Sequence, residues 1–223
     1  MALLVSDIIS DVRALTTDPL GVRWDDTELI NWFNDAIRQS VLVKPDCSPV
    51  TETFVCAAGF KQSWSTLSFT LVALIDVIHN DPSYTPISFI KREVMDLESP
   101  DWRNTAPQAH LDYYMYDPNQ RDIFYVYPPV DVGTSFELVY AGIPAAITLL
   151  TDAFPLQDIY GPAIINYIVW RAYSKDSDFS GNINLAGGYH GAFMQALTGK
   201  MAAEQAEQFP DRKPPQAIVQ GVG

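Results

Sequence analysis

The chain has 223 residues, 48% hydrophobic, 12% aromatic and 18% charged, which is enough apolar matter for one large core or two small ones and too little charge for a disordered polymer. Its formal net charge of -13, from 27 acids against 14 bases, excludes ordinary nucleic-acid binding, which needs clustered lysine and arginine, and attraction to an anionic membrane. The acidity reads as solubility or, more sharply, as a surface that lets DNA pass without sticking.

Near the N-terminus the apolar run Ala2 to Val5 is interrupted by Ser6 and Asp7, so neither an export signal nor a membrane span is expected. Leu4, Ile8, Val12 and Leu15 recur at helical spacing, and Asp18-Pro19-Leu20-Gly21 supplies a turn that stops this first helix. Asp25 and Glu28 form an N-cap and N3 pair of the capping-box kind at the start of a second helix. Its apolar face is Leu29, Phe33, Ala36, Ile37 and Val41, flanked by Trp32, and Lys44-Pro45 ends it. Cys47 and Cys56 follow with no histidine nearby; a zinc site or a disulfide is not expected, and both read as buried thiols.

From about Val50 to Leu150 β-branched and aromatic runs are cut by Pro, Gly and Asp clusters. The expected strands are Thr51 to Val55, Ala73 to Ile78, Ile87 to Lys91, Asp122 to Tyr127 and Ser135 to Ala141. The run from Arg121 to Tyr127 ends at Pro128-Pro129, and with the Val132-Gly133-Thr134 turn and the strand Phe136 to Tyr140 it reads as an antiparallel hairpin. Val94 to Trp102 and Asp117-Pro118-Asn119-Gln120 read as loop or short helix.

The last third returns to helix. Ile159, Ala163, Ile164, Tyr167, Ile168 and Ala172 follow one stripe, with Pro162 tolerable only in the first turn. Leu185, Tyr189, Ala192, Phe193, Ala196 and Leu197 follow another after the Asp178 to Gly181 turn. The text from Phe209 to Pro215 cannot continue a helix and reads as a proline-stiffened extension. The fold class expected is α+β: a helical bundle formed by the N- and C-terminal helices (1–48 and 155–208), an inserted antiparallel β-rich domain (49–154) and an extended C-terminal arm (209–223).

Catalytic signatures are missing. His79, His110 and His190 are not at metal-ligand spacing, and the chain has no phosphate-cradling glycine loop, nucleophile elbow or dinucleotide fingerprint. Asp25-Asp26 and Asp176 with Asp178 are carboxylate pairs, but a cap and a helix-ending turn account for them. No catalytic residue, cofactor or metal is assigned, and the chain is read as a non-enzyme.

The ordered set Arg23-Trp24-Asp25-Asp26-x-Glu28-Leu29-x-x-Trp32-x-Asn34-x-Ala36, then Tyr125-Val126-Tyr127-Pro128-Pro129, then Leu138 through Pro144, then Ala163 through Asp176, resembles the head-to-tail adaptor or tail-tubular-type connector proteins of tailed bacteriophages. The resemblance implies a structural virion protein, assembled in the host cytoplasm and placed in the neck. Twelve copies would close into a ring under the portal protein, with a tail nozzle or tube protein docked beneath and double-stranded DNA passing through without specific binding. It also implies a C-terminal segment reaching up to the portal. Trp24, Trp32, Phe209, Arg212, Lys213 and Ile218 are the candidate interface residues. Another tail or baseplate component, or a carbohydrate-binding or hydrolytic tail protein, is the alternative.

Overall fold

The computed structural model describes residues 3–120, 122–176 and 180–207, apart from the side chains at 180 and 200–207. Within them the chain is α+β, with five α-helices and seven β-strands. Helix α1 (Val5–Leu15) buries Val5, Ile8, Ile9 and Val12, spaced i, i+3, i+4 and i+7. Leu4 and Leu15, expected on this stripe, are exposed. Leu4 is the extended residue before the helix, and Leu15 lies in its last turn, just before Thr17 turns left-handed with φ 54°. Termination therefore begins at Thr16, whose hydroxyl donates to the Val12 carbonyl at 2.9 Å.

In α2 (Asp26–Val43) the Asp25 carboxylate accepts the Glu28 N–H at 2.7 Å, as a cap should. The other half of the expected capping box is replaced by a long-range contact, because the Glu28 carboxylate takes the ammonium of Lys175 at the end of α4 (Gly161–Lys175). Leu29, Phe33, Ala36, Ile37 and Val41 are buried, and Trp32 with them. Pro162 sits in the first turn of α4, where a missing N–H costs nothing. One buried cluster joins α1 and α2 to α4 and to Phe193 and Leu197 of α5 (Ser180–Glu207). Ile159 and Leu185, read onto the helical stripes, are instead exposed.

The strands form two sheets. The first has the order β1 (Pro49–Val55), β7 (Ser135–Ile143), β3 (Thr70–Asp81), all antiparallel. The second has the order β2 (Gly59–Ser63), β6 (Ile123–Val130), β5 (Tyr113–Tyr116), β4 (Ser88–Phe89), and its β4–β5 pair is parallel, so this sheet is mixed. The expected hairpin does not form: β6 and β7 are consecutive but belong to different sheets. Both edges of each strand are taken, those of β7 by β1 and β3 and those of β6 by β2 and β5, so the two meet face to face. Phe124, Val126 and Val130 of β6 share one buried cluster with Phe136, Leu138 and Tyr140 of β7, and the Phe124 and Phe136 rings meet edge-on at 6.1 Å. Packing the two inner faces together takes these side chains out of water as the core between two sheets.

Strand β6 also runs through Pro128 and Pro129 instead of stopping there. These prolines lie opposite a register shift in β2 between Gly59 and Lys61, where the ladder is interrupted, and the Pro129 carbonyl still accepts the Gln108 N–H at 2.8 Å. The strand expected at Ile87 to Lys91 shrinks to Ser88–Phe89, since Pro86 precedes it and α3 (Arg92–Glu98) follows. The outer face of the second sheet is covered by Met95 of α3 and by Trp102, whose indole N–H donates to Asp96 at 2.7 Å. That bond and the nearby Arg103 hold the Asp96 carboxyl below its ordinary value.

The return from β7 runs beside the start of the chain. Val5 and Ser6 donate their N–H groups, which have no acceptor inside α1, to the carbonyls of Asp152 (3.0 Å) and Leu150 (2.9 Å). Buried amide side chains finish the irregular stretches: Gln62 exchanges hydrogen bonds with the backbone of Ala57, and Asn80 with that of Leu111.

Candidate functional site

Among the described residues no group of three or more His, Cys, Asp or Glu could hold a metal ion. The histidines are far apart in role. His79 pairs with Glu137 at 2.9 Å, His110 lies 3.7 Å from Asp112, and His190 packs on the Trp170 ring. Cys47 and Cys56 are buried thiols and form no disulfide with each other, and burial pushes the Cys56 thiol up to about 12, which keeps it protonated and unreactive at neutral pH. Of the carboxylate pairs, Asp25 caps α2 and Asp26 takes the Arg13 guanidinium, so both have structural work; Asp178 lies outside the described residues.

Of the six candidate interface residues, Trp24 and Trp32 are 3% and 6% exposed and enter the same buried cluster of the chain itself. Phe209, Arg212, Lys213 and Ile218 lie outside the described residues. What the structure does present is the loop between α1 and α2, where Leu20 and Val22 are 87% and 85% exposed.

This loop is built, not slack. The Asp18 carboxylate accepts the backbone N–H groups of Val22 (2.8 Å), Arg23 (3.1 Å) and Trp24 (3.1 Å). Arg13, projecting from α1, donates to the carbonyls of Asp18 (3.3 Å) and Trp24 (3.2 Å) and also binds Asp26. Desolvation raises the Asp18 pKa, but the three N–H donors and the Arg13 charge outweigh it and hold the carboxyl below its ordinary value. Gly21 has φ +65°, a backbone conformation that favours glycine, and a Cβ there would lie 2.8 Å from the Arg13 guanidinium, so a side chain would strain the backbone and push that cation aside.

The loop leans on the C-terminal end of α4. Arg23 binds Asp176, Lys175 binds Glu28, and the Tyr173 hydroxyl donates to the Leu15 carbonyl at 3.3 Å. Arg23 and Lys175 place positive charge beside the last carbonyls of that helix, where its dipole favours it. Arg13, Arg23, Arg38 and Lys175 each have a carboxylate partner, so these four cations are neutralised locally. The arrangement can present a fixed apolar tip on an acidic body. Leu20 sits inside a turn signal, Asp18-Pro19-Leu20-Gly21, and an apolar residue at such a place was the sign in the sequence that could have marked this surface.

A protein-family model described as SU10 adaptor protein matches residues 4–216. No curated protein matches the chain.

Proposed function

The chain belongs to the SU10 adaptor protein family, a family of phage head-to-tail adaptors, and on that premise we propose that it is a structural, non-enzymatic segment of a ring between the portal and the tail. The match over residues 4–216 is the observation that carries this reading. Twelve copies would surround a channel, each touching the next through two different patches until the rotation closes. Portal protein would lie above and a tail nozzle or tube protein below, in the virion neck, after assembly in the host cytoplasm.

Double-stranded DNA must slide past such a ring during ejection, so its bore should offer no fixed phosphate anchor. The net charge of -13 and the local pairing of Arg13, Arg23, Arg38 and Lys175 with carboxylates favour that requirement. We assign the bundle to 1–48 and 155–208, the inserted β-rich domain to 49–154 and a portal-directed arm to 209–223, with Phe209, Arg212, Lys213 and Ile218 as its contacts. In support, the helices of the two chain ends share one buried cluster and the two sheets another.

The test is the mass of portal rings from the same particle before and after adding the protein. A gain of about 299 kDa, the mass of twelve copies of a 24.9-kDa chain, is expected. No gain with portal and protein both folded would move the chain to a more distal tail position.

A further inference from the structure

Asp176, the residue that caps the C-terminus of α4, touches three elements at once. Its carboxylate accepts from Arg23 of the α1–α2 loop and, at 2.8 Å, from the Asn182 amide in the first turn of α5. Its backbone carbonyl accepts from the same Asn182 amide at 2.9 Å.

Beyond that anchor the start of α5 is weakly held. Ile183 and Leu185 are exposed, and Ala186 is the buried side chain among residues 181–188. Ring contacts with α4 begin only at Tyr189, stacked on Tyr173, and His190, packed on Trp170. Gly187 and Gly188 occupy helical positions where a Cβ would meet nothing within 4 Å, so no packing need among the described residues accounts for them. Each glycine lowers helix formation roughly two- to fivefold relative to alanine. An exposed ion pair shifts an equilibrium by at most about fivefold. That is small beside the stability of the whole protein and of the same size as the cost of one of these glycines.

We propose that Asp176 is a latch coupling the α1–α2 loop to the first two turns of α5. Displacing Arg23 loosens residues 181–188, and ordering those turns fixes the loop, because a coupling between two sites acts in both directions. The loop end of the device is stiff enough to transmit a displacement, since the Arg23 N–H is one of the three donors locked onto Asp18.

Hydrogen exchange of the full chain tests this at amides 184–188, the first in α5 with acceptors inside the helix. The variants are Arg23→Gln, Asn182→Ala and the two combined. Each single change is expected to speed exchange at 184–188 about two- to fivefold, with Ala163 to Ala172 of α4 unchanged, and the double variant should add little to either single. Gly187→Ala with Gly188→Ala should slow the same amides about four- to twenty-five-fold. Three results overturn the latch: Arg23→Gln without effect at 184–188, fully additive single effects, or wild-type exchange at 184–188 as slow as in the middle of α4.

Discussion

Asn34 on α2 exchanges two hydrogen bonds with the backbone of Ile147, its amide donating to the Ile147 carbonyl at 2.9 Å and its carbonyl oxygen accepting the Ile147 N–H at 2.8 Å. The side chain acts as a stand-in strand partner for a segment that has left β7 and not yet reached α4. Replacing it removes both bonds and leaves two backbone groups without their partner. Asn34→Ala should cost about 1–3 kcal/mol, read as a lower urea midpoint with an unchanged slope. An unaltered midpoint would mean that water replaces the amide at no cost.

Asp18 makes the α1–α2 loop sensitive to acid. Its folded pKa is below the ordinary carboxyl value, so its contribution to stability is fully present above that ordinary value and is lost as pH falls through the folded one. Asp18→Asn should melt earlier than wild type between pH 5 and 8, and the gap should begin to narrow only below about pH 4, closing as pH falls through the folded value. A gap independent of pH would show that the bonds of the side chain, and not its charge, set the difference.

Leu20 and Val22 stand on the same loop without burying surface in the chain. The loop is held by Asp18 and Arg13 and not by its apolar tips, so Leu20→Ser combined with Val22→Ser should leave unfolding free energy within about 0.5 kcal/mol of wild type. Chemical denaturation of the pair beside Asp18→Asn separates the two kinds of residue. A large loss in the serine variant would mean that the tips pack in solution.

Tyr140, on the central strand of the first sheet, ties edge strand β1 to the residue before β3 through its hydroxyl, which donates to Glu52 at 2.8 Å and accepts the Phe69 N–H at 3.2 Å. Burial first, and then the bond to the Glu52 carboxylate, push the Tyr140 phenol up to about 12. A folded pKa above the unfolded value gives stability that is complete below about pH 10 and is lost as pH rises toward the folded value. Tyr140→Phe should cost about 1–3 kcal/mol at neutral pH, and its disadvantage should shrink in thermal melts above pH 10. An equal loss across that range would locate the effect in packing alone.

Much of the fold was legible because local patterns carry it. The α2 face from Leu29 to Val41 and its Asp25 cap follow from spacing and chemistry within a few residues, as does the turn at Asp117, whose carbonyl accepts the Gln120 N–H at 2.9 Å. Strands β2 and β5 were not legible: Gly59–Ser63 is short and mostly polar, and Tyr113–Tyr116 has no alternation to read. The pairing of β6 and β7 failed for a different reason. Alternation says which side chains are buried but not whether the partner lies beside the strand or across from it.

By itself, the amino-acid sequence determined the α+β class, the helical ends, the acidity and the family resemblance, since each depends on residue identity or on spacing within one element. Only the tertiary structure decided that Glu28 binds Lys175 and not its own helix start, that Trp24 and Trp32 are core residues, and that Arg23, Asp176 and Asn182 meet. Those contacts join residues as many as 153 positions apart, and no local propensity encodes them. They follow from how apolar faces far apart in the chain bury one another, which fixes where the polar side chains at their rims come to lie.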